Sequence, residues 1–137
     1  MSRALGIDHG EARIGVAISD DLGMLAHPLK TIDARQQPIE EIATIVTTEK
    51  IGTIIVGVPR NMDGTYGPAA EKARAFAQLL REKTGCNVRT WDERLTTVAA
   101  QKSLHQAGKN TKQSRAVIDQ VAAQLILQAY LDAQAMM

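Results

Sequence analysis

Residues 4–10 (ALGIDHG) and 14–18 (IGVAI) decide the fold of this chain. Two short apolar segments with turn-forming residues between them predict a pair of strands, over residues 3–9 and 13–19. Asp8 interrupts the pattern, because a charge at the end of a buried strand needs a partner, a metal ion or a shifted pKa. Taken alone, Asp8 is best explained by hydrogen bonds to the turn over residues 10–12, which aspartate commonly forms.

The rest of the chain predicts a third strand and then an alternation of helices and strands. The third strand covers residues 24–32, and Pro28 indicates an edge position or a bulge in it. Residue spacing then predicts four helices: one over residues 38–50, one that includes residues 73–80 and ends at Gly85, one over 97–106 and one over 114–133. Two further strands are predicted over residues 53–58 and 87–91. The order indicates an α/β fold: a five-stranded mixed sheet, with three antiparallel strands followed by β–α units and with helices on both faces.

The composition is that of a single globular domain over residues 1–137, with 45% hydrophobic and 23% charged residues. No apolar run reaches the roughly 18 residues that a membrane-spanning helix needs. The one cysteine, Cys86, excludes an internal disulfide and fits the reducing cytoplasm. These features exclude a membrane protein and a disulfide-stabilised scaffold.

The net charge is only +1, but the charges are unevenly distributed. Residues 94–118 contain no acidic residue and five basic ones, which are Arg94, Lys102, Lys109, Lys112 and Arg115. Such a segment is either a solvated helix face or an edge that binds phosphate groups, and composition favours neither.

Three acidic residues occupy places where a charge is unexpected. Asp8 ends the first strand, Glu93 follows the fifth, and Asp119 lies in the mostly apolar last helix. If the first and fifth strands are neighbours at the centre of the sheet, Asp8 and Glu93 emerge from the same end. Asp119 joins them if the last helix crosses that end with its first turns. Each also has a structural explanation, a surface ion pair for Glu93 and a favourable helix dipole for Asp119.

Three carboxylates in one place repel each other, and a hard divalent cation resolves the repulsion. Mg²⁺ and Mn²⁺ prefer oxygen ligands of this kind. Two such ions about 4 Å apart can activate a water and stabilise a leaving oxygen in phosphodiester hydrolysis. The basic segment lies between Glu93 and Asp119 in sequence, where it can hold the phosphates of a substrate.

Four segments, in this order and spacing, carry a resemblance to a known family. They are residues 5–17 (LGIDHGEARIGVA), 56–65 (VGVPRNMDGT), 91–97 (WDERLTT) and 118–123 (IDQVAA). The chain resembles the RNase H-like superfamily and, more closely, the YqgF family, over essentially its whole length. That family consists of nucleases assigned to precursor 16S ribosomal RNA, earlier proposed to be Holliday-junction resolvases.

The resemblance implies a metal-dependent nuclease, a hydrolase of RNase H-like fold. Asp8, Glu93 and Asp119 would be both the catalytic residues and the ligands of Mg²⁺ or Mn²⁺, with two ions expected. The enzyme would process the 5′ end of pre-16S rRNA during ribosome biogenesis in the cytoplasm. Nucleic acid, above all precursor rRNA, is the implied partner, and ribosomal particles are a further one.

Six residues are candidates for contact with the substrate: Arg13, Asn61, Asp63, Arg94, Lys112 and Arg115. Asn61 and Asp63 belong to the loop over residues 59–65, which matches a signature of the family and is called the signature loop below. The loop has a structural explanation as well, since Pro59 and Gly64 would make it rigid. His9 departs from the family pattern, in which this position is more often apolar or aromatic. Its side chain is expected on the opposite side of the strand from Asp8.

Other functions compatible with the residues remain open at this stage. A Holliday-junction-type DNA resolvase would use the same acids, and a non-catalytic RNA- or protein-binding module could retain the fold. Actin-like ATPases and sugar kinases also begin with a strand and Asp-x-Gly, but they need a second half that 137 residues do not supply. Phosphate contacts do not separate RNA from DNA, and the sequence does not separate a monomer from a homodimer.

Overall fold

The computed structural model describes residues 2–61, 63–93 and 112–136. In chain order its elements are β1 (Arg3–His9), β2 (Arg13–Ser19), β3 (Ala26–Asp33), α1 (Pro38–Glu49), β4 (Ile51–Val58), α2 (Pro68–Thr84), β5 (Asn87–Asp92) and α3 (Lys112–Ala135). The five predicted strands and three of the predicted helices are confirmed, with ends that differ by a few residues. The helix predicted over 97–106 lies outside the described residues.

The five strands form one mixed sheet in the order β3-β2-β1-β4-β5. β1, β2 and β3 pair antiparallel, whereas β1 pairs with β4 and β4 with β5 in parallel, as the α/β prediction requires. Pro28 lies on the edge strand β3, beside a register shift, so both explanations of this proline are confirmed.

The condition that the first and fifth strands are neighbours is not met, because β4 lies between them. The burial of the two strands explains the order. β4 ends in five consecutive buried residues, as a strand covered on both faces does, whereas β5 has one buried residue and suits the edge.

Helices cover both faces of the sheet, as predicted. α1 and α2 pack on one face, where Leu5 and Ile7 of β1 join one apolar core with Leu80 of α2. α3 packs on the other face, where Ala4 and Ala17 meet its residues 122–131. Among the helices that the structure describes, none is both long and apolar enough to cross a membrane.

α3 lies directly on the backbone of the sheet. A Cβ atom added to Gly6 would lie 2.7 Å from the carbonyl oxygen of Ala123, and one added to Gly15 would lie 1.9 Å from that of Asp119. This helix, expected to be mostly apolar, carries one polar row. Gln124 and Gln128 of this row donate hydrogen bonds of 2.9 Å to the carbonyls of Ala26 and Met24. α3 is therefore held at fixed height and position over β1 and β2.

His9 faces the opposite layer from α3, as its position in the strand predicts. Its ring lies against Phe76 of α2, with centroids 4.7 Å apart and planes tilted by 42°. Burial lowers the pKa of His9 below its usual value, the nearby Lys72 lowers it further, and Glu11 acts in the opposite direction.

The close contact of α3 predicts a severe effect of Gly15→Ala. Backbone cannot move away as a side-chain tip can, so we expect the free energy of unfolding to fall by about 3 kcal/mol or more in urea titrations. Gly23→Ala is the matched control. It meets nothing within 4 Å but has a φ of +70°, so we expect a loss of about 1 kcal/mol. Equal losses in the two variants would contradict the contact.

The lowered pKa of His9 predicts a pH-dependent stability. The unfolded chain binds a proton at this histidine at a higher pH than the folded protein does. The free energy of unfolding should therefore fall as the pH drops from the unfolded pKa of about 6.5 to the lower pKa of the folded state. His9→Phe keeps an aromatic ring against Phe76 and removes the titration, so urea titrations from pH 7.5 to 5 should show a flatter dependence. Identical profiles for the variant and the parent would show that burial of His9 is not the cause.

Candidate active site at the carboxyl ends of the parallel strands

Two carboxylates are buried at the carboxyl ends of β1 and β5. Asp8 is 3% exposed and Glu93 is 7% exposed, and Ser19 is the only other buried polar residue in the described part of the chain. β1, β4 and β5 are parallel, so their carboxyl ends lie at one edge of the sheet. The prediction that Asp8 and Glu93 lie at the same end is therefore confirmed, although the strands are not neighbours.

Asp8 lies on the face of the sheet that α3 covers. Ala4 and Gly6 precede it at alternate positions of β1, and both contact α3. Its partner across the antiparallel pair with β2 is Gly15, on which the backbone of α3 lies. Residues directly opposite each other in such a pair present side chains to the same face.

Gly57 of β4 provides the space between the two buried acids. A Cβ atom on Gly57 would lie 3.2 Å from both Cγ and Oε2 of Glu93, and 2.5 Å from Cδ1 of Ile126. The β1–β4 register pairs Ile7 with Val56, so one residue further along it sets Asp8 level with Gly57. Glu93 thus extends over the position on β4 that lies beside Asp8, and any side chain at Gly57 would separate the two carboxylates.

Asp119 reaches the same end from α3. Its carbonyl oxygen lies over Gly15, and its side chain is 15% exposed. The carboxylate accepts a hydrogen bond of 2.8 Å from Nε of Arg13, at the start of β2. The structure therefore brings Arg13 to the site as predicted, but its observed contact is with Asp119.

The donor set fits a hard divalent cation by its chemistry. Asp8, Glu93 and Asp119 supply only carboxylate oxygens, which Mg²⁺ and Mn²⁺ prefer, and two of them are buried charges at fixed strand ends. In the conformation observed, Asp119 is paired with Arg13, and residues 2–61, 63–93 and 112–136 contain no group of three His, Cys, Asp or Glu side chains placed to hold an ion. A cation shared by all three acids thus requires Asp119 to give up this pairing.

The loop after β4 holds itself in shape with its predicted site residues. Asn61 Nδ2 donates to Oγ1 of Thr65 at 3.0 Å. Oδ1 of Asp63 accepts from N and Oγ1 of Thr65 at 2.9 and 2.6 Å, and these bonds lower the pKa of Asp63. Both side chains serve the rigidity of the loop, and a contact with substrate stays a prediction for them.

The substrate contacts predicted for the three remaining candidates stay predictions. Arg94 and the helix predicted after it lie outside the described residues. The backbone positions of Lys112 and Arg115 lie in the first turns of α3, the part of the helix nearest Asp119, but their side chains are outside the description.

Sequence reasoning missed two residues that shape the site. Gly57 could have been found, because a glycine inside an apolar strand indicates a close approach of other atoms. Arg60 joins the loop to the end of β5, through bonds from Nε to the carbonyl of Gly64 at 2.6 Å and from Nη1 to Asp92 at 3.3 Å. The spacing of residues in the sequence does not indicate the bond between Arg60 and Asp92.

Comparison with known proteins agrees with this geometry. Residues 2–133 match the family model described as "RuvX: Holliday junction resolvase". A Clostridioides difficile protein named "Putative pre-16S rRNA nuclease" is 44% identical over 132 residues, which cover 95% of this chain and 94% of that protein.

Two solved structures share the fold at low sequence identity. The Fowlpox virus resolvase, in complex with Holliday junction DNA, aligns with a TM-score of 0.58 at 10% identity over 96% of this chain and 98% of its own. RuvC of Thermus thermophilus, in complex with a Holliday junction substrate, aligns with a TM-score of 0.55 at 13% identity. The alignment covers 97% of this chain and 96% of the RuvC chain. Both comparisons support the RNase H-like arrangement of the sheet. By its family match and its close relatives, the chain belongs to the RuvX family, which is the YqgF family that its motifs indicate.

Proposed function

We propose that this protein is a divalent-metal-dependent nuclease that processes the 5′ end of pre-16S rRNA in the cytoplasm, free or within ribosomal particles. The observation that carries the proposal is the pair of buried carboxylates at one edge of the sheet: Glu93 extends over Gly57, and the strand register sets Asp8 level with Gly57 on the neighbouring strand. The choice of RNA rests on the curated relative, which is named as a nuclease of pre-16S rRNA.

Asp8, Glu93 and Asp119 would hold Mg²⁺ or Mn²⁺, with two ions expected. Bound there, such ions supply an activated water and stabilise the leaving oxygen of a phosphodiester. The chain's own contribution is preorganisation. Asp8 and Glu93 are fixed at the carboxyl ends of two strands of one sheet and are shielded from water, so their charges need little reorganisation when a substrate binds.

Arg13 would change partners in this scheme. Its guanidinium now compensates the charge of Asp119, and it is 38% exposed. Once a cation compensates Asp119 instead, the N–H groups of Arg13 are available to a substrate phosphate, which binds guanidinium in the same bidentate way as a carboxylate does. This exchange reconciles the predicted phosphate contact with the ion pair observed.

A Holliday-junction resolvase is the second candidate. The family description and the two solved structures with junction DNA favour it. The two candidates differ in substrate and share the carboxylate chemistry, so a branched DNA junction tested beside precursor rRNA separates them.

The nuclease proposal predicts the outcome of cleavage assays. With Mn²⁺ or Mg²⁺, the purified protein should cleave precursor 16S rRNA or short single-stranded RNA, and a chelator should stop the reaction. Asp8→Asn removes a charged metal ligand, so we expect the rate to fall about 100-fold or more. Asp132→Asn, the same change on the exposed surface of α3, is the matched control and should cleave at the parent rate.

Cleavage by Asp8→Asn at the parent rate, or cleavage that resists the chelator, would refute the mechanism. RNA binding without cleavage by either protein would favour the non-catalytic binding module. Cleavage of the junction alone would favour the resolvase.

A further inference from the structure

Tyr66 carries two guanidinium groups on its ring. It lies in the loop between β4 and α2, and its residue is 39% exposed. Cζ of Arg74 lies 3.8 Å from the ring centroid and Cζ of Arg60 lies 4.7 Å from it. The two Cζ atoms are therefore separated by no more than the sum of these two distances, although the two arginines belong to different elements of the fold.

The two arginines are held to different degrees. Arg60 is 30% exposed and is anchored by Gly64 and by Asp92, whose side chain is 18% exposed. Arg74 is 41% exposed, and its partner Glu71, at 3.1 Å, is 66% exposed. An ion pair so open to water contributes little stability, so Arg74 can exchange Glu71 for another anion.

The cluster adjoins the carboxylates. Asp92, which anchors Arg60, directly precedes Glu93, and alternate residues of a strand face opposite sides of the sheet. The cluster and Glu93 therefore lie at the same edge of the sheet but on opposite faces. The cluster of Tyr66, Arg60 and Arg74 lies on the α2 side, and Glu93 lies on the α3 side. A nucleic acid strand that crosses this edge would pass both groups.

Two guanidinium groups held this close repel each other, and the face of the aromatic ring offsets only part of that cost. An anion that contacts both guanidinium groups would offset the repulsion. Each guanidinium has five N–H donors, of which Arg60 directs two to Gly64 and Asp92. The planar arrangement of the remaining donors matches the oxygens of a phosphate.

We propose that Tyr66, Arg60 and Arg74 form a phosphate clamp that binds the backbone of the substrate strand next to the site of cleavage. Arg60 and Arg74 contact the phosphodiester, and Tyr66 is a positioning residue that holds the two guanidinium groups together. The clamp rests on the proposed nuclease function, because its ligand is the strand that Asp8 and Glu93 would cleave.

Binding of labelled single-stranded RNA to the Asp8→Asn protein, in a salt series, tests the clamp without cleavage. Arg74→Ala in this background should bind about fivefold more weakly near 0.1 M salt, and the slope of log affinity against log salt should flatten by about 0.7, the change expected for one phosphate contact with a single strand. Tyr66→Ala should weaken binding in the same direction, whereas Tyr66→Phe keeps the ring and should bind like the parent. Lys83→Ala, which removes an exposed charge from the far end of α2, is the matched control and should change affinity less than twofold. Thermal melting confirms that each variant is folded.

The clamp is wrong if Arg74→Ala and Lys83→Ala weaken binding equally, or if Tyr66→Ala binds like the parent. It is also wrong if inorganic phosphate, at the same concentration of phosphate groups, displaces the RNA as well as unlabelled RNA does, since the site would then be one for free anions. Cleavage by the parent together with normal binding by the Tyr66 and Arg74 variants would refute the clamp and leave the nuclease intact. RNA binding that depends on Tyr66 and Arg74, in a protein that cleaves nothing, would support the clamp and refute the nuclease.

Discussion

The direct contact of α3 with the backbone of β1 and β2 is the constraint on which the rest of the site depends. Gly6 and Gly15 have no side chains, so the helix backbone rests on the strands and its height over the sheet is fixed. The same contact places Asp119 over Gly15, whose partner in the sheet is Asp8. A packing requirement of the core therefore also determines where the third carboxylate lies.

A second glycine-dependent arrangement joins the other two acids. β4 separates β1 from β5, and an ordinary residue at Gly57 would place a side chain between Asp8 and Glu93. With glycine there, Glu93 can extend across the central strand. Among the described residues of this region, Arg13 pairs with Asp119 and Arg60 pairs with Asp92. The buried carboxylates and these two ion pairs lie at the same edge of the sheet, which is the arrangement that an enzyme acting on phosphodiesters would need.

Much of the fold could be predicted from local patterns, since strands such as β1 and helices such as α2 are specified by period and by turn residues. The position of β4 between β1 and β5 was not predicted, because the apolar run over residues 54–58 indicates burial on both faces without saying which strands lie beside it. The convergence of Asp8 and Glu93 at one end followed from the parallel strand directions. The contact of Arg13 with Asp119 joins residues 106 positions apart and depends on where α3 crosses the sheet. The two roles of the signature loop, a self-bonded turn and a holder of Tyr66, likewise arise from side-chain contacts without a sequence period.

The central claim is that Asp8, Glu93 and Asp119 form one divalent-cation site. Anomalous diffraction from crystals of the protein grown with Mn²⁺ tests it most directly, because the signal locates manganese without reference to any assumed mechanism. We expect manganese bound by oxygens of Asp8 and Glu93, with Asp119 released from Arg13 and turned to the metal. Crystals with no manganese at these acids, or with manganese bound only elsewhere while Asp119 remains paired with Arg13, would contradict it.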